Sequence, residues 1–521
     1  MLTHLKKIAA AIALTALAAV GTASAQTPPG VLIVAQIAEP KSLDPHTVTA
    51  VNDFRILMNV YDGLVRYKSG TLEVEPALAE SWTISDDGKT YTFKLREGVK
   101  FHDGADFNAE AVKFNFERML DEKHPQHDTG PFPLSFFFSA VDTVEAPDAQ
   151  TVEFTLKEPY APFLSNLAYP TGLIVSPEAV KQHGKDYGRN PAGTGPFKFA
   201  EWESNAKVVV EANPDCWDGA PKLQAAVFRP ITDANTRVAE MLSGAVDVMV
   251  EVPPDNVKTF SDDPTFTVLE QAGPHLWFLI LNTKEGPFAD KKARQAINYA
   301  IDKKALVENV LQGTAVVAAG PTPPAFAWAY NESLEPYAHD IEKARSLLKE
   351  AGAENASLTF YVTEGGSGML DPVAMGSAIQ ADLAKVGLDV KIETYEWNTF
   401  LGKVNPGLEG KADMAQMSWM TNDPDTLPYL ALRTEATPDK GGFNSGYYSN
   451  AKVDELLVAA RRETDRDKRA ALYKEMQTIV QEDAPWAFVA NWKQNAVTSA
   501  RVEGFALEPS FFLLLHDVVK N

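Results

Sequence analysis

Residues 357–397, SLTFYVTEGGSGMLDPVAMGSAIQADLAKVGLDVKIETYEW, carry the pattern that decides the fold class. SLTFYV at 357–362 reads as a strand, residues 371–386 have helical spacing, and LDVKIETYEW at 388–397 returns to strand character. A strand, a helix and another strand in so short a span predict an α/β lobe with a partly parallel sheet, since a crossover helix lets successive strands run the same way. The same rhythm extends outward. LWFLILNT begins at 276, and ARQAINYAIDKKALVENVL across 293–311 predicts one helix with Ala293, Ile297, Ala300 and Ile301 on its apolar face. A helical pattern resumes at 340–351. DELLVAARR at 454–462 and KRAALYKEMQTIVQED at 468–483 predict two more helices before the apolar run WAFVAN at 486–491.

Toward the N-terminus, VLIVAQ at 31–36 suits a strand and residues 47–64 a helix. Tyr91–Leu95 alternates between Asp86-Asp87-Gly88 and Glu97-Gly98, a hairpin pattern, and Asn108–Leu120 follows as a helix with one apolar face. With strands at Val141–Ala146 and Thr151–Leu156, the region 60–185 forms a mixed sub-domain. AGTGPFKFAEW at 192–202 joins a Gly/Pro connection to a strand, and Thr232–Leu242 reads as a helix ending near Gly244.

The composition narrows the function. With 521 residues, 45% hydrophobic and 23% charged, the chain is an ordinary globular one, large enough for several cores. Its 70 acidic against 48 basic residues give a net charge of -22, which repels phosphate backbones and argues against nucleic acid as a partner. The single cysteine, Cys216, excludes an intramolecular disulfide and cysteine-cluster metal sites, and reads as a packed thiol. Residues 1–25, MLTHLKKIAAAIALTALAAVGTASA, read as an export signal cleaved before Gln26, and no later stretch is long and apolar enough to span a membrane. Loss of Lys6 and Lys7 takes the net charge to -24. No cysteine lies near the cleavage point for lipid attachment, so a soluble exported product, periplasmic and monomeric, is expected.

Five stretches, in this order, carry a resemblance: EPKSLDPH at 39–46, ALAESWTISDDGKTYTFKLREGVKFHDG at 77–104, GTGPFKF at 193–199, ARQAINYAIDK at 293–303 and GFNSGYYSNAKVDELL at 442–457. Together they resemble the dipeptide, oligopeptide and nickel group (family 5, cluster C) of ABC-transporter extracellular solute-binding proteins, over essentially the whole mature chain. The resemblance implies an α/β, two-lobed periplasmic-binding-protein-like fold with an additional sub-domain inserted in lobe one. Lobe I would span 26–275, including the sub-domain at about 60–185, lobe II 276–484, and 485–521 would return to complete lobe I. It also implies a protein that closes over a solute and delivers it to membrane permeases, with ATPase subunits engaged indirectly. A dipeptide or short oligopeptide is the leading solute, and an opine, a peptide-like conjugate, a carbohydrate or a nickel complex are competitors.

The same resemblance directs attention to SWMTNDPD at 418–425. Related peptide receptors place an acidic residue of this loop against the ligand amino terminus, a charge-assisted contact. Asp423 and Asp425 are the carboxylates available here, whereas Thr421 and Asn422 occupy the approach where the family commonly has an earlier aspartate. Trp419 is a candidate aromatic wall and Asn422 a hydrogen-bonding group, each also compatible with packing. Asn444 and Tyr447 lie in GFNSGYY near the expected ligand face, His46 near the cleft entrance and His275 at the hinge. Asn450 reads as a helix cap, and Arg294 and Lys303 as solvent-facing helical charges. His102 and Asp103 mark a turn rather than a metal site, and neither a metal nor a cofactor is expected. HExxH, GxSxG and GxxxxGK[ST] motifs are absent from the sequence, so an enzyme is not expected, and a hydrolase or chaperone reading stands well behind solute capture.

Overall fold

The computed structural model describes residues 28–365, 369 and 371–521. The expected export segment at 1–25 lies outside the described residues. One large sheet runs through the molecule. From edge to edge its strands are Asp389–Tyr395, Ser357–Thr363, Met414–Met420, Phe266–Leu281, Trp486–Ser499, Val248–Val250, Val31–Gln36, Ala225–Pro230, Lys207–Ala212 and Phe197–Glu203, with Ala315–Val317 paired to the long return strand. Parallel pairing joins the two strands of the strand–helix–strand stretch at 357–397, as predicted, and recurs at strands for which no pairing was predicted. Ser357–Thr363 runs parallel to both Asp389–Tyr395 and Met414–Met420, and Val31–Gln36 parallel to Ala225–Pro230 and Val248–Val250.

Two lobes form around separate cores. Leu32, Val34 and Phe228 share a core with Phe93, Phe154 and Leu515 in lobe one. In lobe two the sheet has a core on each face, and the crossing strand supplies both by its period of two: Trp277, Leu279 and Leu281 enter one, Leu276, Phe278 and Ile280 the other. Phe266–Leu281 and Trp486–Ser499 pair antiparallel along their lengths and carry the sheet from one lobe to the other, with a register shift between Ala272 and Leu276. A four-stranded antiparallel sheet of Ala79–Ile84, Thr90–Leu95, Thr151–Leu156 and Val141–Asp148 forms the added sub-domain of lobe one.

Local signals account for most boundaries. Asn108 accepts the Ala111 amide and starts the helix Ala109–Leu120, and Gly244, at φ +74°, ends Ala234–Ser243 in the left-handed conformation. Two expected helices are shorter than predicted. The helix expected over 47–64 is confined to Val51–Val60, because Tyr61 is extended and Asp62 is held by Thr194 and Trp217. The single helix expected over 293–311 is broken. Lys291–Ala300 ends at Ile301, whose ψ of 122° leaves the helix, and Asp302 caps a new turn by accepting the Ala305 amide, followed by a π-helical turn at Leu306–Val310. An aspartate in mid-pattern restarts a helix as readily as it sits in one. The C-terminal stretch is folded, with Phe511, Phe512, Leu513 and Leu515 buried in lobe one.

Candidate functional site

Strand Met414–Met420 ends where the lobes meet. Thr421 donates its amide to Pro274 of the crossing strand, Met420 packs against the lobe-one core, and the chain turns into the loop that carries Asn422, Asp423 and Asp425. Two helices of lobe two, Ala451–Arg462 and Arg466–Asp483, bring four arginines to the same place. Opposite them, lobe one presents Glu158, Tyr160 and the short helix Phe163–Leu167.

Asp423 is the centre of the seam. Arg469 holds it with two hydrogen bonds, Nη2 to Oδ1 at 2.6 Å and Nη1 to Oδ2 at 3.2 Å. Ser165 of lobe one donates its hydroxyl to Oδ2 at 3.0 Å, and the Asp425 amide donates to Oδ1 at 2.9 Å. Burial disfavours the Arg469 charge, yet the Asp423 carboxylate beside it holds its pKa above the ordinary arginine value. Asp425 has a different environment. Burial pushes its carboxyl up to about 6, against the pull of Arg461, whose Nε lies 3.6 Å from Oδ2, and Oδ1 is buried without a hydrogen-bond partner. Asn422 bridges the lobes too, donating to Asn166 Oδ1 at 2.7 Å while accepting from Thr426.

A cavity of about 260 Å³ opens into this seam, lined by Leu164 and Ser165 from lobe one and by Trp328, Asn422, Asp423 and Arg466 from lobe two. Trp419 stands half-buried at the end of its strand, its ring edge-on to Phe443 at 5.2 Å, and Phe443 is 37% exposed. A second cavity of about 260 Å³ lies within lobe one beside Tyr67, Asp62 and Phe512, and its Arg66 is paired with Glu75 and Asp218.

The other sequence candidates lie away from the seam cavity. His46 is buried in lobe one, one ring nitrogen against the Leu173 carbonyl at 2.9 Å and the other beside Arg118, and burial lowers its pKa to about 4. His275 sits inside the crossing strands, bonded to the Ser418 hydroxyl at 2.7 Å and edge-on to Trp492, with a pKa lowered to about 3 by burial. Asn444 is buried and ties its own loop by donating to the Arg433 and Tyr448 carbonyls. Tyr447 packs on Gly407 with the Lys284 ammonium over its ring at 4.7 Å. Asn450 caps its helix as predicted.

Arg294 and Lys303, expected to face solvent, are buried. Arg294 satisfies the carbonyls of Phe288, Ala289 and Asp483, which end their elements without helical partners, and Lys303 donates to Asn298. Ser165, Asn166, Arg461 and Arg469 were not among the sequence candidates. The double arginine in DELLVAARR was visible, but nothing local indicated that it faces the other lobe. Among the described residues, no group of three or more His, Cys, Asp or Glu side chains could hold a metal ion.

Two α/β lobes joined by crossing strands, with a cavity between them, define a solute-binding protein of the two-lobed kind. The family model for the bacterial extracellular solute-binding proteins, family 5, middle region, matches residues 73–441. The chain belongs to that family. It is 34% identical over 511 residues, 95% of each chain, to di/tripeptide-binding protein 2 of Pseudomonas aeruginosa. Among solved structures, HbpA2 of Haemophilus parasuis matches with a TM-score of 0.86 and 32% identity, covering 94% of this chain and 100% of that one. The periplasmic binding protein DppA of Helicobacter pylori, in complex with the peptide STSA, matches with a TM-score of 0.79 and 33% identity, covering 94% and 98%. No helix among the described residues is long and apolar enough to cross a membrane.

Proposed function

We propose that this protein is the periplasmic substrate-binding component of an ABC importer, capturing a dipeptide or short oligopeptide between its lobes and delivering it to the membrane permeases. The observation that carries the proposal is the convergence of Ser165, Asn422, Asp423 and Arg466, from both lobes, on one inter-lobe cavity. The relatives supply the solute class: one is named for di- and tripeptides, and another was solved with a tetrapeptide. The protein does no chemistry on its cargo in this reading. Solute binding favours the closed lobes, and closure is what the permease recognises. Lobe I is assigned to 26–275 with 485–521 and lobe II to 276–484, and the paired strands Phe266–Leu281 and Trp486–Ser499 support a hinge at those crossings. Asn422, which lines the cavity, is assigned as a polar contact at its edge, whereas Trp419 and Phe443 line a separate small hollow in lobe two. Calorimetry of the mature protein against di-, tri- and tetrapeptides, with an opine, a disaccharide and nickel–histidine as separate arms, tests the assignment. Saturable heat with peptides is expected. Binding of a non-peptide arm alone, or of none, would overturn the peptide assignment.

A further inference from the structure

The seam holds more than a solute would need. Besides the Ser165–Asp423 and Asn166–Asn422 bonds, Ala161 donates its amide to the Arg461 carbonyl at 2.8 Å, and the Arg461 guanidinium lies over the Tyr160 ring at 4.7 Å with a bond to its hydroxyl at 3.3 Å. Further out, Arg462 pairs with Glu158 at 2.5 Å and Arg466 with Glu73 at 2.8 Å. Each contact has one partner in lobe one and the other in lobe two. A row of arginines along one edge of lobe two thus meets acidic and aromatic groups on lobe one.

Building on the capture reading, we propose that Asp423 is a positioning residue for closure rather than a solute contact: through Ser165 and Arg469 its carboxylate clamps the lobes, whatever solute lies inside. A carboxylate offers about four acceptor sites. Asp423 fills them with two guanidinium N–H groups, one hydroxyl and one backbone amide. A solute ammonium would have to displace one of these donors, and the guanidinium is held bidentate, the strongest arrangement available to a carboxylate. Ser165 is the donor that the lobes lose on opening, because Arg469 and the Asp425 amide stay with Asp423 in lobe two. The hydroxyl therefore reports closure. Its removal leaves the other bond of that residue, from Tyr67 to the Ser165 carbonyl, in place.

The clamp lowers the free energy of the closed state by the same amount for every solute, so weakening it changes all affinities by one factor. The test compares wild type, Ser165→Ala, Ser165→Thr and Glu73→Gln. Affinities are measured for free and N-acetylated di-, tri- and tetrapeptides, and closure of the ligand-free protein by small-angle scattering or by a pair of fluorophores across the lobes. Ser165→Ala is expected to weaken every peptide that binds by one common factor, roughly ten- to a hundredfold for one hydrogen bond to a charged acceptor. It should also reduce a closed fraction already present without ligand, and Ser165→Thr, which keeps the hydroxyl, should restore both. Glu73→Gln, at the exposed rim, is expected to act in the same direction but more weakly. Weakening confined to peptides with a free ammonium, with closure unchanged, would assign Asp423 to the solute and overturn the proposal. So would ligand-free wild type with no closed fraction, or a closed fraction that Ser165→Ala leaves unchanged. If no peptide binds, the capture reading fails while the scattering arm still decides the clamp.

Discussion

Removing one member of the Asp423–Arg469 pair is the sharpest test of the seam. The two side chains are 2% and 8% exposed, so neither can turn to water when its partner is lost. Asp423→Ala deletes the two guanidinium bonds and the acceptor for the Ser165 hydroxyl and the Asp425 amide, and strands a buried charge. Breaking one side of a buried pair costs about 3–5 kcal/mol. Arg469→Met should cost a similar amount for the mirror-image reason. The double variant Asp423→Ala/Arg469→Met strands no charge, and apolar replacement of a whole buried pair is often close to neutral, which leaves only the Ser165 hydroxyl and the Asp425 amide without their acceptor. The two single costs sum to about 6–10 kcal/mol. A double variant that loses about 2–3 kcal/mol for its two unpaired neutral donors leaves a coupling of about 3–8 kcal/mol, well beyond the ~0.5 kcal/mol within which independent sites add. The assay is guanidinium unfolding of the ligand-free protein followed by tryptophan fluorescence. Trp328, whose ring lies 5.4 Å from the Arg469 guanidinium, gives the signal a probe at the seam. Additive single effects, or an Asp423→Ala protein as stable as wild type, would refute the structural role, since a residue reserved for solute can be removed from the empty protein at little cost.

Two further predictions concern pH. Lys303 is buried and its ammonium is lowered to about 7 from 10.5, so between those values the unfolded chain binds the proton and the folded one does not; stability should rise with pH through that window, by up to about 4–5 kcal/mol relative to Lys303→Met, and parallel curves for the two proteins would contradict the burial argument. Asp425 is shifted the opposite way, from 3.8 to about 6. Wild type should lose roughly 3 kcal/mol relative to Asp425→Asn as pH rises through that interval, with the loss complete above it, and urea titrations at several pH values that show no such divergence would contradict it.

Much of the fold was legible because its signals are local. The hairpin in 77–104 announces itself by alternation and a turn, and Asn108 and Asn450 mark helix starts by side chains that reach amides two or three residues away. The helix expected over 293–311 was misjudged because Ile301 and Asp302 fit an apolar helical pattern as well as a break between two helices. Arg294 and Lys303 were misjudged for a related reason: helical spacing places a charge on a face, and only the packed neighbours determine whether that face meets water. At the site, the sequence singled out the loop that carries Asp423 but offered no sign of what Asp423 binds. A carboxylate's role depends on its donors, and these come from Ser165 and Arg469, the former 258 positions away.

By itself, then, the sequence determined the α/β class, the order of elements and, through its distributed motifs, the family, because periodicity, capping and turn chemistry act between residues a few positions apart. The tertiary structure alone decided which carboxylate is neutralised, which is left buried at a raised pKa, and which arginines cross from one lobe to the other. Those are properties of distance and dielectric surroundings, and both are set only when the two lobes, built from interleaved parts of the chain, come together.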